Sequence, residues 1–153
     1  SQPAAPHRRT GKRLPGGYFN QQAAGGLLTT ANDVARLCIA TMETAAERGG
    51  DVLESSAVEE MWQRPTAAIG AFRLRNGGYA LGQVTGSLPS GTRFVANQGS
   101  RPGWRALMIC LPDHGDALVV TTNSNSGVAL LAHLARRWLR HVAHERLPQL
   151  RLL

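Results

Sequence analysis

Lysine is almost absent from this sequence. Of 17 lysines and arginines in 153 residues, Lys12 is the only lysine, so any mechanism that needs one has a single place to find it. Against 10 acidic residues the formal net charge is +7 and the pI is near 11.0, and that basicity belongs to arginine. The arginines are scattered through the chain, among them Arg8-Arg9, Arg36, Arg64, Arg73, Arg101, Arg105, Arg136-Arg137 and Arg140. No basic stripe is interleaved with aromatics, which make up 5% of residues, so a nucleic-acid surface is not the expectation. Cysteine is scarce too. Cys38 and Cys110 sit inside apolar periodic segments without C-x-x-C spacing, which reads as buried free thiols. There is no apolar run of membrane length and no signal-peptide pattern.

What is present is ordinary for a globular domain: 42% hydrophobic and 18% charged residues, enough for a core of its own. The chain opens on Ser1-Gln2-Pro3-Ala4-Ala5-Pro6 rather than methionine, so upstream processing or truncation is expected. Residues 1–22 are basic and Gly/Pro-rich, a long surface-crossing loop. Thr30 then offers an N-cap, with Asp33 three residues on to answer free N–H groups and suit the helix dipole. A helix should follow with Val34, Leu37, Cys38, Thr41 and Ala45 on one face and Gly49-Gly50 as its stop. Ser56 with Glu59 repeats the capping pattern for a shorter helix through Val58, Met61 and Trp62, ended by Pro65.

Strand signals come next. Tyr79-Ala80-Leu81-Gly82-Gln83-Val84 reads as one strand, Thr92 to Ala96 as a second and Trp104 to Leu111 as a third. Pro112-Asp113-His114-Gly115-Asp116 turns the chain into a fourth, Ala117 to Asn123. Short strands joined by turns predict an antiparallel meander. From Ser126 onward, Val128, Leu131, Leu134, Ala135, Trp138, Leu139 and Val142 recur at helical spacing, a helix expected to pack on the sheet with Arg136, Arg137 and Arg140 outward. Residues 147–153 read as a loose tail. The fold class is therefore α+β: an antiparallel sheet, two preceding helices and a C-terminal helix packed on it.

The stretch that organises the rest is Asn97-Gln98-Gly99-Ser100-Arg101-Pro102-Gly103-Trp104-Arg105. Gly99 leaves no Cβ in the way of a ligand, and Gly103 lets the chain turn back on itself. It resembles the His-x-Gly-x-x-x-Gly-Trp/Phe-Arg/Ser segment of the serine β-lactamase-like family, which includes class C β-lactamases, DD-peptidases and related esterases. Ala24 to Arg36 is similar to that family's Gly-Gly-Leu-x-Ser/Thr-Thr-x-x-Asp-Leu-Ala-Arg stretch, Tyr79 to Gly82 to its Tyr-Gly-Leu-Gly strand, and Asn123-Ser124-Asn125 before a helix to the end of the domain. The likeness places residues 23–146 as the C-terminal portion of a β-lactamase or transpeptidase-like fold.

The resemblance implies acyl transfer on a β-lactam, a peptidoglycan peptide or an ester, in the periplasm or outside the cell, with no cofactor or metal. In the family a serine of a Ser-x-x-Lys motif attacks the acyl carbonyl, with a lysine and a Tyr-x-Asn tyrosine managing protons. By resemblance Asn97 takes the Lys/His position, Gln98 and Gly99 complete the strand motif, and the backbone N–H of Ser100 is an oxyanion donor. Two departures stand out. Asn97 is neutral, and Arg9 lies three residues before Lys12, so Ser-x-x-Lys is not in these residues. The expectation is a hydrolase portion inactive alone, partnered by the missing part of its domain or by a second copy. The alternatives are a non-catalytic binding or vestigial module of the same fold and a basic anion-binding domain.

Other candidates are weaker. Tyr18-Phe19-Asn20 spells Tyr-x-Asn but lies too near Gly25-Gly26 to match, and reads as coincidence. His133, His141 and His144 read as surface residues of a basic helix. Trp104 reads as a core anchor, and Arg105 either as a surface strand residue or as the group that receives a substrate carboxylate.

Overall fold

The computed structural model describes residues 3–17, 20–46, 53–63, 77–147, 150 and 152. The element order is α1 (Gln22–Gly25), α2 (Ala31–Ala45), α3 (Ser55–Trp62), β1 (Gly78–Tyr79), β2 (Val84–Ser87), β3 (Arg93–Arg101), β4 (Trp104–Leu111), β5 (Asp116–Thr122) and α4 (Gly127–Val142). The strands form one antiparallel sheet in the order β1-β2-β3-β4-β5, the expected meander.

Each strand side chain points opposite to its neighbours, and here both directions lead into apolar packing. Phe94, Ala96, Leu107, Ile109 and Leu111 meet Leu131, Ala135 and Leu139 of α4. Val95 and Cys110 point the other way, onto Cys38 and Met42 of α2 and Val58 and Trp62 of α3. The sheet is thus the middle of three layers. The sequence reading had assigned only the C-terminal helix to it.

Helix α2 starts as its capping residues dictate. Thr30 Oγ1 accepts the Asp33 N–H at 3.2 Å and donates to Asp33 Oδ2 at 2.7 Å. Its buried face is turned from the expected one: Cys38, Thr41, Met42 and Thr44 are buried while Leu37 is 48% exposed. The buried threonines satisfy their hydroxyls on the helix's own carbonyls, Thr41 on Leu37 at 3.0 Å and Thr44 on Ala40 at 2.9 Å. Helix α3 is capped at Glu54, not Ser56, and Ser55 Oγ donates to the Thr44 carbonyl at 3.1 Å. The expected stops Gly49-Gly50 and Pro65 lie outside the described residues.

Two further expectations are corrected. Tyr79 to Val84 is a hairpin rather than one strand, because Gly82 at φ +76 turns the chain and the Ala80 N–H closes on the Gln83 carbonyl at 2.7 Å. The tail is not loose at Leu147 and Leu150, each 2% exposed in the α4-side core, with Arg136 Nη1 donating to the Leu150 carbonyl at 3.3 Å.

The N-terminal segment is laced to the far end of the sheet. His7 bridges to Ser124, the Asn123 amide donates to the Ala5 carbonyl at 2.8 Å, and the Asn125 N–H donates to the His7 carbonyl at 3.0 Å. Asn125 Oδ1 in turn accepts the Gly103 N–H at 2.6 Å. Gly103, at φ +82, sits under this lacing, and a Cβ there would run into Pro6 and come within 2.8 Å of the His7 nitrogen.

Replacing Phe94 by alanine should cost about 3–5 kcal/mol in urea unfolding, because the cavity opens in the centre of the α4-side core. Leu130→Ala, on the exposed face of α4, should stay within about 0.5 kcal/mol. Gly103→Ala should cost more than about 1 kcal/mol, combining left-handed backbone with the Pro6 collision. Gly91→Ala, at φ +93 with no atom near its Cβ position, carries the backbone penalty alone. Gly103→Ala should therefore be the worse of the two in the same denaturation experiment.

Candidate functional site

The sheet pairing leaves part of β3 without a neighbour on one side. Strand β2 pairs with β3 only from Arg93 to Ala96, while β4 pairs with it as far as Arg101. Arg101 and Trp104 close a two-residue turn over Pro102 and Gly103, so the odd-numbered residues 97, 99 and 101 exchange backbone hydrogen bonds with β4. The N–H groups of Gln98 and Ser100 therefore face the other edge, past the end of β2.

Side chains alternate across the same strand. Asn97, Gly99 and Arg101 share the α2-side face with Val95, while Gln98 and Ser100 share the α4-side face with Ala96. Asn97 is exposed and pinned at both ends of its amide: Nδ2 donates to the Gly82 carbonyl at 3.0 Å, and Oδ1 accepts the Gln98 N–H at 2.7 Å. Above Gly99 the face is open, the nearest atom to its Cβ position being the Ala106 methyl at 3.5 Å.

Arg101 closes the far end. Its Nη1 donates to Gln21 Oε1 at 3.2 Å, and its guanidinium lies against Gly25, where a Cβ would collide with it. A side chain at position 25 would have to push that guanidinium end aside. Leu27 and Leu28, just beyond, are 78% and 77% exposed.

The β3–β4 hairpin consequently gathers the other three motif segments around it. Gly25 touches Arg101, Gly82 bonds Asn97, and Asn125 bonds Gly103. The Gln21, Gly25 and Gly82 contacts were not read from the sequence; the tight Gly-Gly pair and the glycine inside Tyr79-Ala80-Leu81-Gly82 were the signals that backbone approaches there.

Arg105 lies elsewhere. It is paired with Ser100 in register, on the face opposite Asn97 and Gly99. Its Nη1 donates to the carbonyls of Arg101 at 2.6 Å and Trp104 at 2.7 Å, strapping the underside of the turn, and its buried Nε has no partner among the described residues. Trp104 is half-buried at the hairpin end. His133, His141 and His144 are exposed, and among the described residues no cluster of three or more His, Cys, Asp or Glu side chains converges as metal ligands. Tyr18 and Phe19 lie outside the described residues. No described helix is long and apolar enough to cross a membrane.

Chemically, the arrangement offers the Ser100 N–H on a strand edge beside an open glycine face, the Gln98 N–H being taken by Asn97 Oδ1. A carbonyl oxygen brought there would find that donor already oriented.

The β-lactamase family model matches residues 1–143. Among solved structures, the octameric penicillin-binding protein homologue from Pyrococcus abyssi superposes with a TM-score of 0.68 at 21% identity, covering 93% of this chain and 31% of that one. This chain therefore spans under a third of that protein's length, and at such identity the likeness is one of fold. A D-stereospecific amidohydrolase from Streptomyces sp. overlaps less, over 61% of this chain and 25% of its own at 23% identity, with a TM-score of 0.46. No curated protein sequence matches. With the family model covering all but the last ten residues or so, and a five-stranded α+β fold that superposes on a penicillin-binding protein homologue, the chain belongs to the β-lactamase family.

Proposed function

We propose that this chain forms the oxyanion side of a serine hydrolase that transfers acyl groups from a β-lactam, a peptidoglycan peptide or an ester. The observation that carries the reading is the edge of β3 beyond Ala96, where the N–H of Ser100 faces away from β4 next to the open face of Gly99. Negative charge developing on a carbonyl oxygen would be stabilised there without reorganisation. The attacking serine and its lysine would come from chain outside these residues, the rest of the domain. Exposed apolar side chains support such a partner: Leu27, Leu28, Leu37, Ile39 and Leu81 are 48–78% exposed.

A second reading has its own observation. Asn97 is neutral and its amide is spent inside the protein, on Gly82 and Gln98, as suits a binding or vestigial module that holds its strand without moving protons.

Fluorescent penicillin or fluorophosphonate labelling separates the two, run on this chain alone and on a mixture with the separately expressed segment encoded upstream. Under the hydrolase reading the upstream segment labels only in the mixture. Ser100→Pro should then lower the labelling rate about 100-fold or more, since it deletes one edge donor while leaving the β4 ladder intact. A stable monomer with no labelling in either sample would leave the binding module.

A further inference from the structure

Two buried thiols on the α2 side of the sheet are not used by the proposed site. Cys38 on α2 and Cys110 on β4 are 1% and 2% exposed and belong to one apolar cluster with Met42, Val58, Trp62 and Val95. Both also line a single cavity of about 50 Å³, between the thioethers of Met61 and Met108 and the exposed side chains of Leu37 and Leu53. Both are free thiols. Their environments are unequal. The Cys110 thiol donates to the Cys38 sulfur, which draws Cys38 below its ordinary value against the opposing effect of burial. The same hydrogen bond, together with burial and the Cys38 charge, pushes Cys110 up.

We infer that Cys38 and Cys110 are a redox couple that closes to a disulfide, clipping helix α2 to the central strand β4. Both thiols line the same small cavity within one apolar cluster, and the pair joins a helix and a strand rather than two loops. The oxidant is hydrogen peroxide. The Cys38 thiolate attacks one peroxide oxygen, the O–O bond breaks, and hydroxide leaves to become water, so that sulfur is oxidised to a sulfenic acid. Cys110 then attacks the Cys38 sulfur. The S–S bond forms, the S–O bond breaks, and the departing oxygen takes up the proton that Cys110 gives up, leaving as a second water. Two thiols lose two electrons and one peroxide gains them.

The cavity explains why this can happen in a packed interior. Its volume exceeds that of a single water, about 30 Å³ in the liquid, so the sulfenic oxygen has somewhere to lie before the second sulfur displaces it. The consequence reaches the proposed site, because Cys110 pairs in register with Val95, two residues before Asn97 on β3. The loop that the bond closes contains α3 and β1 to β3, so oxidation restricts a large part of the unfolded chain.

The test is hydrogen peroxide at a few equivalents on the whole purified chain, followed by intact-mass and peptide analysis. A loss of about 2 Da, with one cross-linked peptide holding Cys38 and Cys110 and no thiol left to alkylate after denaturation, is the expected result. The melting temperature should rise by roughly 5–15 °C and fall back on adding dithiothreitol. Cys110→Ser should lose the cross-link and accumulate the Cys38 sulfenic acid, trapped by dimedone. Independent oxygen additions on either cysteine of the unmutated chain, disulfide-linked dimers, or no reaction while the protein stays folded would each overturn the inference. The mass measurement on the unmutated chain needs no variant to fold.

Discussion

The ladder between β3 and β4 is the constraint on which everything else rests. It runs from Val95 opposite Cys110 to Arg101 opposite Trp104, and its register decides which side chains enter which core. A slip of one residue would exchange the faces, sending the Asn97 amide toward α4 and Phe94 toward α2. Since Phe94 and Leu107 are both almost wholly buried on the α4 side, the apolar packing itself forbids the slip. The register is also held from the hairpin's end, where Pro102 and Gly103 set the turn and Asn125, Pro6 and His7 close over it.

That one register serves two purposes along the same strand. In the first half of β3 both faces are filled and both edges are paired, which makes it rigid. In the second half β2 has stopped, and the strand continues as a single-edged extension of a rigid ladder. The Ser100 N–H there keeps a fixed direction because β4 holds the backbone behind it and the Arg105 guanidinium ties the turn beneath it. A loop could carry the same N–H but would not hold its direction. The surface beside this edge follows from the same arrangement: Gly25 lies against Arg101 and the Gly82 carbonyl accepts the Asn97 amide, while Leu27, Leu28 and Leu81 are left exposed.

Local signals proved strongest where one element decides its own structure. Thr30 and Asp33 start α2 through a bond three residues long, and the seven apolar positions from Val128 to Val142 imply α4 without reference to anything else. Trp104 to Leu111 was legible end to end. Where a neighbour decides, the reading moved. The Tyr79 to Val84 run looks like one strand because its residues suit a pleated surface, and only the Gly82 turn and the partner strand split it. Ser56 fits a capping pattern, yet Ser55 is drawn to the Thr44 carbonyl and the cap falls on Glu54. The near-continuous apolar composition of β4 and β5 was the available sign that helices cover both faces of the sheet.

By itself the sequence determined helices α2, α3 and α4, the meander, the family likeness and the motif at Asn97 to Arg105, because hydrophobic periodicity, caps and turn residues act over a few positions. Only the tertiary structure decided which motifs touch, that Arg105 lies on the face away from Asn97, that Leu147 and Leu150 complete a core, and that Cys38 and Cys110 share one cluster. Those outcomes depend on strand register and on which helix face turns inward. Both are settled by packing between segments distant in the chain, about which spacing along the chain carries no information.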